Sequence, residues 1–119
     1  MQKSFVAAAA QPLILSILAK EKSYGYRIAK TLNAMLSGEM EWPEATLYPI
    51  LKRMEKVKLI QSQWMVTDNG RPRKYYHITE KGLEMLKKEN KKWLRVSSVL
   101  RRMCEDVRSD HNPVVSEEN

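Results

Sequence analysis

The sequence predicts a mainly α chain of α+β class, and three observations carry that prediction. Apolar residues recur at helical spacing in three segments before residue 58. Two runs rich in β-branched and aromatic residues, 59–66 and 74–79, follow with a turn signal between them. From residue 80 to residue 112 no proline interrupts, and helical spacing returns. In chain order these are three helices, a hairpin and a long helix, the plan of a winged helix-turn-helix with a long C-terminal dimerisation helix.

The first helix spans residues 7–20. Leu13, Ile14, Leu15, Ile17 and Leu18 wrap most of its circumference, which predicts burial on several sides, and Pro12 either begins its main part or kinks it. Ser23 stands where an N-cap belongs for a second helix, with Tyr24, Ile28, Leu32, Met35 and Leu36 on one face and Gly38 closing it. Gly25, in the first turn, costs about 1 kcal/mol against alanine, so its expected use is to admit another backbone closely. The third helix starts near Ala45, after Pro43 and Glu44, and turns Leu47, Ile50, Leu51, Met54 and Val57 to the core. Pro49 would cost about 3 kcal/mol in a helix interior. A start near Ala45 eases this, because the first four N–H groups of a helix lack intrahelical acceptors in any case.

In the hairpin, Ile60, Ser62, Trp64 and Val66 alternate with Gln61, Gln63 and Met65. Asp68-Asn69-Gly70 supplies the turn, Arg71-Pro72-Arg73 a basic tip, and residues 74–78 the returning strand. Tyr75 and Tyr76 point to opposite faces, so one belongs to the core, and the pattern leaves open which. Thr79 caps the last helix, with Glu80 in its first turn. There Leu86, Trp93, Leu100 and Val107 recur every seven residues, with Val96 and Met103 between them. A small domain has nothing left to cover such a stripe, and its simplest partner is the same helix of a second copy.

The formal charge of +7 implies an acidic partner. Residues 1–70 carry nine Lys/Arg against six Asp/Glu, residues 71–102 eleven against three, and residues 103–119 one against five. The positive field therefore lies on the hairpin tip and the helix after it. These patterns divide the chain into a winged helix-turn-helix DNA-binding domain with its N-terminal helix over 1–82, a dimerisation helix over 83–108, and a disordered acidic tail over 109–119. The run 5–19 after Lys3 has some features of a signal peptide. Gln11, Pro12 and Ser16 interrupt it, no small-x-small cleavage site precedes Lys20-Glu21-Lys22, and it is shorter than the ~18 apolar residues of a membrane span.

His77, His111 and Cys104 have no spacing that builds a triad, a metal site or a phosphate loop, so neither enzyme chemistry nor a cofactor is expected. Cys104, the single cysteine, reads as a buried small hydrophobe in a reduced cytoplasmic protein, with a redox-sensing thiol as the lesser alternative.

Four stretches form an ordered set: Tyr24-Gly25-Tyr26; Ala45-Thr46-Leu47-Tyr48-Pro49-Ile50-Leu51-Lys52-Arg53-Met54-Glu55; Leu59-Ile60; and Gly70-Arg71-Pro72-Arg73-Lys74-Tyr75-Tyr76-His77-Ile78-Thr79-Glu80-Lys81-Gly82. With them the chain resembles the PadR family of bacterial transcriptional regulators over residues 13–104. Lys58 departs from the family pattern, which usually has glycine before the Leu-Ile that opens the wing. The single C-terminal helix is similar to that of the short PadR subgroup, which includes multidrug-responsive repressors. In ligand-binding members of that subgroup a tryptophan on the last helix faces its symmetry mate and sandwiches flat aromatic compounds, and Trp93 stands where that tryptophan would be. The resemblance implies a homodimeric repressor on a pseudo-palindromic operator in double-stranded DNA.

The residues supply the means independently. Lys52, Arg53 and Lys56 suit phosphates, while Thr46, Tyr48 and Pro49 suit base edges or thymine methyls. Arg71, Arg73 and Lys74 suit the backbone or a minor groove. Tyr24, like Tyr26, is read as packing first and a phosphate hydrogen bond second. Trp93, with Val96, Ser97, Leu100 and Glu89, is either a plain dimer anchor or a platform for a small aromatic effector. The competing class is a winged helix that meets an acidic protein and has no operator.

Overall fold

The structure, a computed structural model, describes residues 2–36 and 43–118, with side chains described over 8–36 and 43–107; Gly38 and Trp42 lie outside these. Residues 1–87 form one unit and residues 88–119 a second. Alanine, leucine and isoleucine favour helix at the start of the chain, and α1 (Gln2–Lys20) runs through Pro12 without ending. Ser16 Oγ donates to the Pro12 carbonyl at 2.8 Å. Ile14, Leu15 and Leu18 are fully buried, and Leu13 and Ile17 pack partly against the same core.

Ser23 is not a helix cap. Ser23 and Tyr24 form a two-residue strand, β1 (Ser23–Tyr24), pairing antiparallel with Tyr76 and Tyr75. Sheet pairing has drawn this segment into an extended ladder, and α2 (Gly25–Met35) begins after it with Tyr24 at the N-cap and no side-chain cap bond. Ser23 Oγ instead accepts a hydrogen bond from Arg27 Nε at 2.9 Å. Ile28, Ala29 and Leu32 are buried, whereas Met35, expected on the same face, is exposed. The nearest groups to Gly25 are side chains and not the expected backbone: a Cβ there would stand 3.4–3.5 Å from Tyr48 and Glu44, an ordinary contact.

The recognition-type helix α3 (Glu44–Lys56) buries Leu47, Leu51 and Met54, with Ile50 half-buried. Thr46 and Leu47 N–H donate to the Pro43 carbonyl, so the free first turn ends before Pro49. Pro49 therefore sits in the second turn, where it costs the helix one hydrogen bond, on the exposed side. At the other end Leu59 N–H donates to Met54 at 2.9 Å and Lys58 N–H to Glu55 at 3.0 Å, the paired bonds of a Schellman motif. Its left-handed position is Lys58, at φ 71°. Chain reversal there carries Val57 outward, so Val57 is exposed and not a core residue.

The hairpin pairs β2 (Ile60–Val66) with β3 (Pro72–Ile78), in register Ile60 with Ile78 and Val66 with Pro72, and the sheet order is β1-β3-β2. Gly70, at φ 81°, closes the turn by donating to the Thr67 carbonyl at 2.9 Å. Tyr76 lies on the face shared with Ile60 and is 3% exposed, which makes it the core member of the tyrosine pair. Alternation holds only at the hairpin's base. Trp64 and Val66 continue the Ile60 side beyond the core and are exposed.

Thr79 caps α4 (Glu80–Glu118) as expected: Gly82 N–H donates to Thr79 Oγ1 at 3.0 Å. Gly82 packs so tightly that a Cβ would stand 2.2 Å from the Leu59 carbonyl oxygen. Leu86 closes the core of the first unit. In the second unit Trp93, Val96, Leu100, Met103 and Val107 are all exposed, and so is Cys104, which the sequence reading buries. A single helix gives that cysteine no second layer to pack under. The helix continues to Glu118, past Ser109 where the sequence reading starts a disordered tail. Propagation costs little once a helix is nucleated, and acidic residues do not forbid it.

Two substitutions test the junction around Lys58. Lys58→Gly relieves a left-handed lysine and is expected to stabilise the fold by about 1 kcal/mol. Gly82→Ala forces its methyl into the Leu59 carbonyl and is expected to destabilise by about 1–3 kcal/mol or more. Urea denaturation of both variants checks the opposite signs.

Candidate nucleic-acid interface

The buried row Leu47, Leu51 and Met54 fixes which side of α3 meets solvent. Ala45, Thr46, Tyr48, Pro49, Lys52, Arg53 and Lys56 are all exposed there, so the sequence-predicted residues of this helix share its outer surface. Acceptors gather at the first turn, with Tyr48 Oη donating to Glu44 Oε2 at 2.9 Å. That bond, with partial burial and the charge of Glu44, raises the Tyr48 pKa above its usual value near 10. Cations follow along the helix.

The wing places its cations differently from the free basic tip that the sequence suggests. Arg71 is exposed in the turn, but Arg73 and Lys74 are half-buried. The Arg73 guanidinium lies 4.0 Å from the centroid of the Tyr24 ring, and Lys74 Nζ lies 5.8 Å from that of Tyr76. Tyr24 also takes Arg27 at 5.0 Å and meets the edge of Tyr75 at 5.3 Å. Its ring thus holds one guanidinium from the wing and one from α2, each such contact worth about 0.5–1 kcal/mol at exposed sites. Arg27 is further tied by Nη2 to the Lys22 carbonyl at 2.7 Å. Sequence reasoning missed Arg27; its signal is the three-residue step from Tyr24. Tyr26, read as packing, is exposed beside Lys30.

Between the first turn of α3 and the wing lies a cleft of about 290 Å³, lined by Tyr24, Gly25, Tyr26, Glu44, Tyr48, Trp64, Pro72, Arg73, Lys74 and Tyr76. Outside the cleft lining, Ser62 Oγ donates to Glu55 Oε2 at 2.5 Å and joins β2 to α3. Burial, then the charge of Glu55, then Tyr48 raise the Tyr76 pKa above its usual value near 10. His77, on the opposite face, pairs with Gln61 at 3.2 Å.

Residues 14–88, the stretch that builds this arrangement, match the family model described as the transcriptional regulator PadR-like family. The chain belongs to the PadR family. A PadR-like transcriptional regulator of Bacillus cereus is 35% identical and superposes with a TM-score of 0.76, covering 85% of this chain and 96% of that one. A PadR family regulator of Clostridium difficile is also 35% identical, with a TM-score of 0.68 over 79% of this chain and 96% of that one. An uncharacterized protein of Lysinibacillus sphaericus is 31% identical over 88 residues, 74% of this chain and 81% of that protein. As a PadR-family member the protein is a DNA-binding transcriptional regulator and not an enzyme. Among the described residues no helix is long and apolar enough to cross a membrane, and no cluster of His, Cys, Asp and Glu is placed to hold a metal ion.

The raised pKa of Tyr76 has a defined sign. The unfolded tyrosine ionises near pH 10 while the folded one keeps its proton, so its stabilisation is complete below about pH 10 and is lost as pH rises further. The urea midpoint should hold steady and then fall above about pH 10, and Tyr76→Phe should lessen that fall. An equally steep fall in the variant would remove Tyr76 as its source.

Proposed function

We propose that the protein is a cytoplasmic homodimeric repressor whose two copies join along α4 and read the two halves of a pseudo-palindromic operator. The observation that carries this reading is the row Trp93, Val96, Leu100, Met103 and Val107, exposed along one stripe of a helix otherwise rich in lysine and arginine. Large apolar side chains at this spacing are covered in a stable protein, and a second copy covers them isologously. Residues 83–108 then act as the dimerisation helix and residues 1–82 as the DNA-binding domain.

On DNA, Thr46, Tyr48 and Pro49 meet base edges in the major groove, and Lys52, Arg53 and Lys56 neutralise phosphates. Arg71, Arg73 and Lys74 follow the backbone from the wing, with Tyr24 holding Arg73 in place. Two recognition helices spaced by one turn of DNA, about 34–36 Å, fit a two-fold operator. Trp93 of each copy, with Val96, Ser97, Leu100 and Glu89, forms the wall of a cleft between subunits that takes a planar aromatic effector. Lys92 and Arg95 nearby make a neutral or anionic aromatic as suitable as a cation. Its binding changes the spacing of the two heads and releases the operator.

Footprinting on DNA upstream of the protein's own gene locates the operator. The double variant Lys52→Ala with Arg53→Ala should weaken binding and flatten the slope of log affinity against log salt by roughly two per subunit. Unchanged affinity would refute the assigned face. Sedimentation equilibrium should find a dimer that Leu100→Glu converts to monomer. With Trp42 and Trp64 replaced by phenylalanine, planar dyes should quench Trp93, and a panel that leaves its emission untouched would overturn the effector site.

A further inference from the structure

Trp64 is 66% exposed on the wing, a large apolar group where solvent gives it no reason to be. Strand register pairs it with Lys74 and puts Val66 and Pro72 on the same side, so this side of the wing sets apolar groups around one cation, and Trp64, Pro72 and Lys74 line the cleft beside α3. Tyr48 and Glu44, bonded to each other, stand on the α3 wall, and the two cations Arg73 and Lys74 on the wing wall outnumber that single carboxylate. An indole flanked by cations does not suit a second copy of a chain whose charge is +7, nor a purely apolar partner. It suits a polyanion that also carries hydrocarbon, and a DNA strand is one: phosphates alternate with the apolar edges of deoxyriboses.

We propose that Trp64 is a DNA contact, packing its indole face against the deoxyribose edge of the strand that crosses between α3 and the wing. This rests on the assignment of α3 and the wing to DNA, and it adds a contact that charge does not reveal. The cations of the cleft fix the phosphates on either side, and the indole excludes water from the sugar between them. Sugars are common to all sequences, so the contact contributes affinity without selecting bases.

The test compares Trp64→Ala, Trp64→Phe and Arg73→Ala on two duplexes, the footprinted upstream DNA and a random sequence of equal length, across a range of salt. Trp64→Ala is expected to weaken both duplexes about tenfold with an unchanged salt slope, because an apolar contact releases no counterions. Trp64→Phe should recover most of that loss, and Arg73→Ala should flatten the slope by about one per subunit. Unchanged affinity for Trp64→Ala, alongside weakened binding by the Lys52 and Arg53 double variant, overturns the proposal and leaves the DNA-binding reading intact. A flattened slope overturns it too, since Trp64 would then act through Arg73 or Lys74. Loss confined to the upstream duplex replaces the sugar contact with a base contact. If the unsubstituted protein binds neither duplex, the underlying reading falls as well. Because Trp64 is mostly exposed, the urea midpoint of each Trp64 variant should stay near that of the parent.

Discussion

The carbonyl of Leu59 is where the DNA-binding unit is tied together. It accepts the Thr79 N–H at 3.1 Å and lies 3.0 Å from Thr79 Oγ1, which also reaches the Lys58 carbonyl at 2.7 Å. Gly82 leaves no space over it. Leu59 immediately precedes β2, three residues after α3 ends, and Thr79 is the single residue between β3 and α4. One oxygen therefore joins the end of the recognition-type helix, both ends of the wing and the start of the last helix. Lys81 adds a second tie by donating from Nζ to the Val57 carbonyl at 2.9 Å, the favourable place for a cation at a helix C-terminus.

The junction orients a surface that extends past the buried core. The wing projects beyond its own core, and its outer half is steadied by the turn bonds of Thr67 and Gly70 and by the aromatic seats of Arg73 and Lys74. Seating a long cationic side chain on a ring removes rotamer freedom before any partner arrives. Less ordering remains to be done on binding, where each such side chain costs roughly 0.5–1.5 kcal/mol. The same rings give the cleft its apolar walls, so order and hydrocarbon come from one set of residues.

The parts of this arrangement that periodicity controls were legible in the sequence. Leu47, Leu51 and Met54 gave the inner side of α3, and with it Thr46, Tyr48, Lys52 and Arg53 on the outer side. Thr79 was legible as a cap because capping is local chemistry. What long-range pairing decides was not legible. β1 is two residues held only by β3, so Ser23 carried no strand signal of its own, and its hydroxyl suggested a cap instead. Tyr75 and Tyr76 needed the sheet's attachment to the core before either could be assigned. Val57 and Trp64 kept perfect apolar spacing past the point where the core stops, since a pattern marks a side of an element and not how far its cover extends. Lys58 hid its left-handed backbone behind an ordinary side chain; only its departure from the family's glycine marked it.

The bond from Tyr48 to Glu44 polarises the tip of α3. With its O–H engaged in donating to the carboxylate, the phenol presents lone pairs to anything that approaches, and Pro49 brings no N–H to the Ala45 carbonyl one turn before it. Carboxylate, phenol oxygen and main-chain carbonyl together add acceptors to a helix tip whose own donors are its first-turn N–H groups and the Thr46 hydroxyl, with the cations Lys52 and Arg53 confined to later turns. On the proposed reading, with this tip in a major groove, the groups that match its acceptors are the exocyclic amines of adenine and cytosine, so the proline and the glutamate would bias which letters the helix reads.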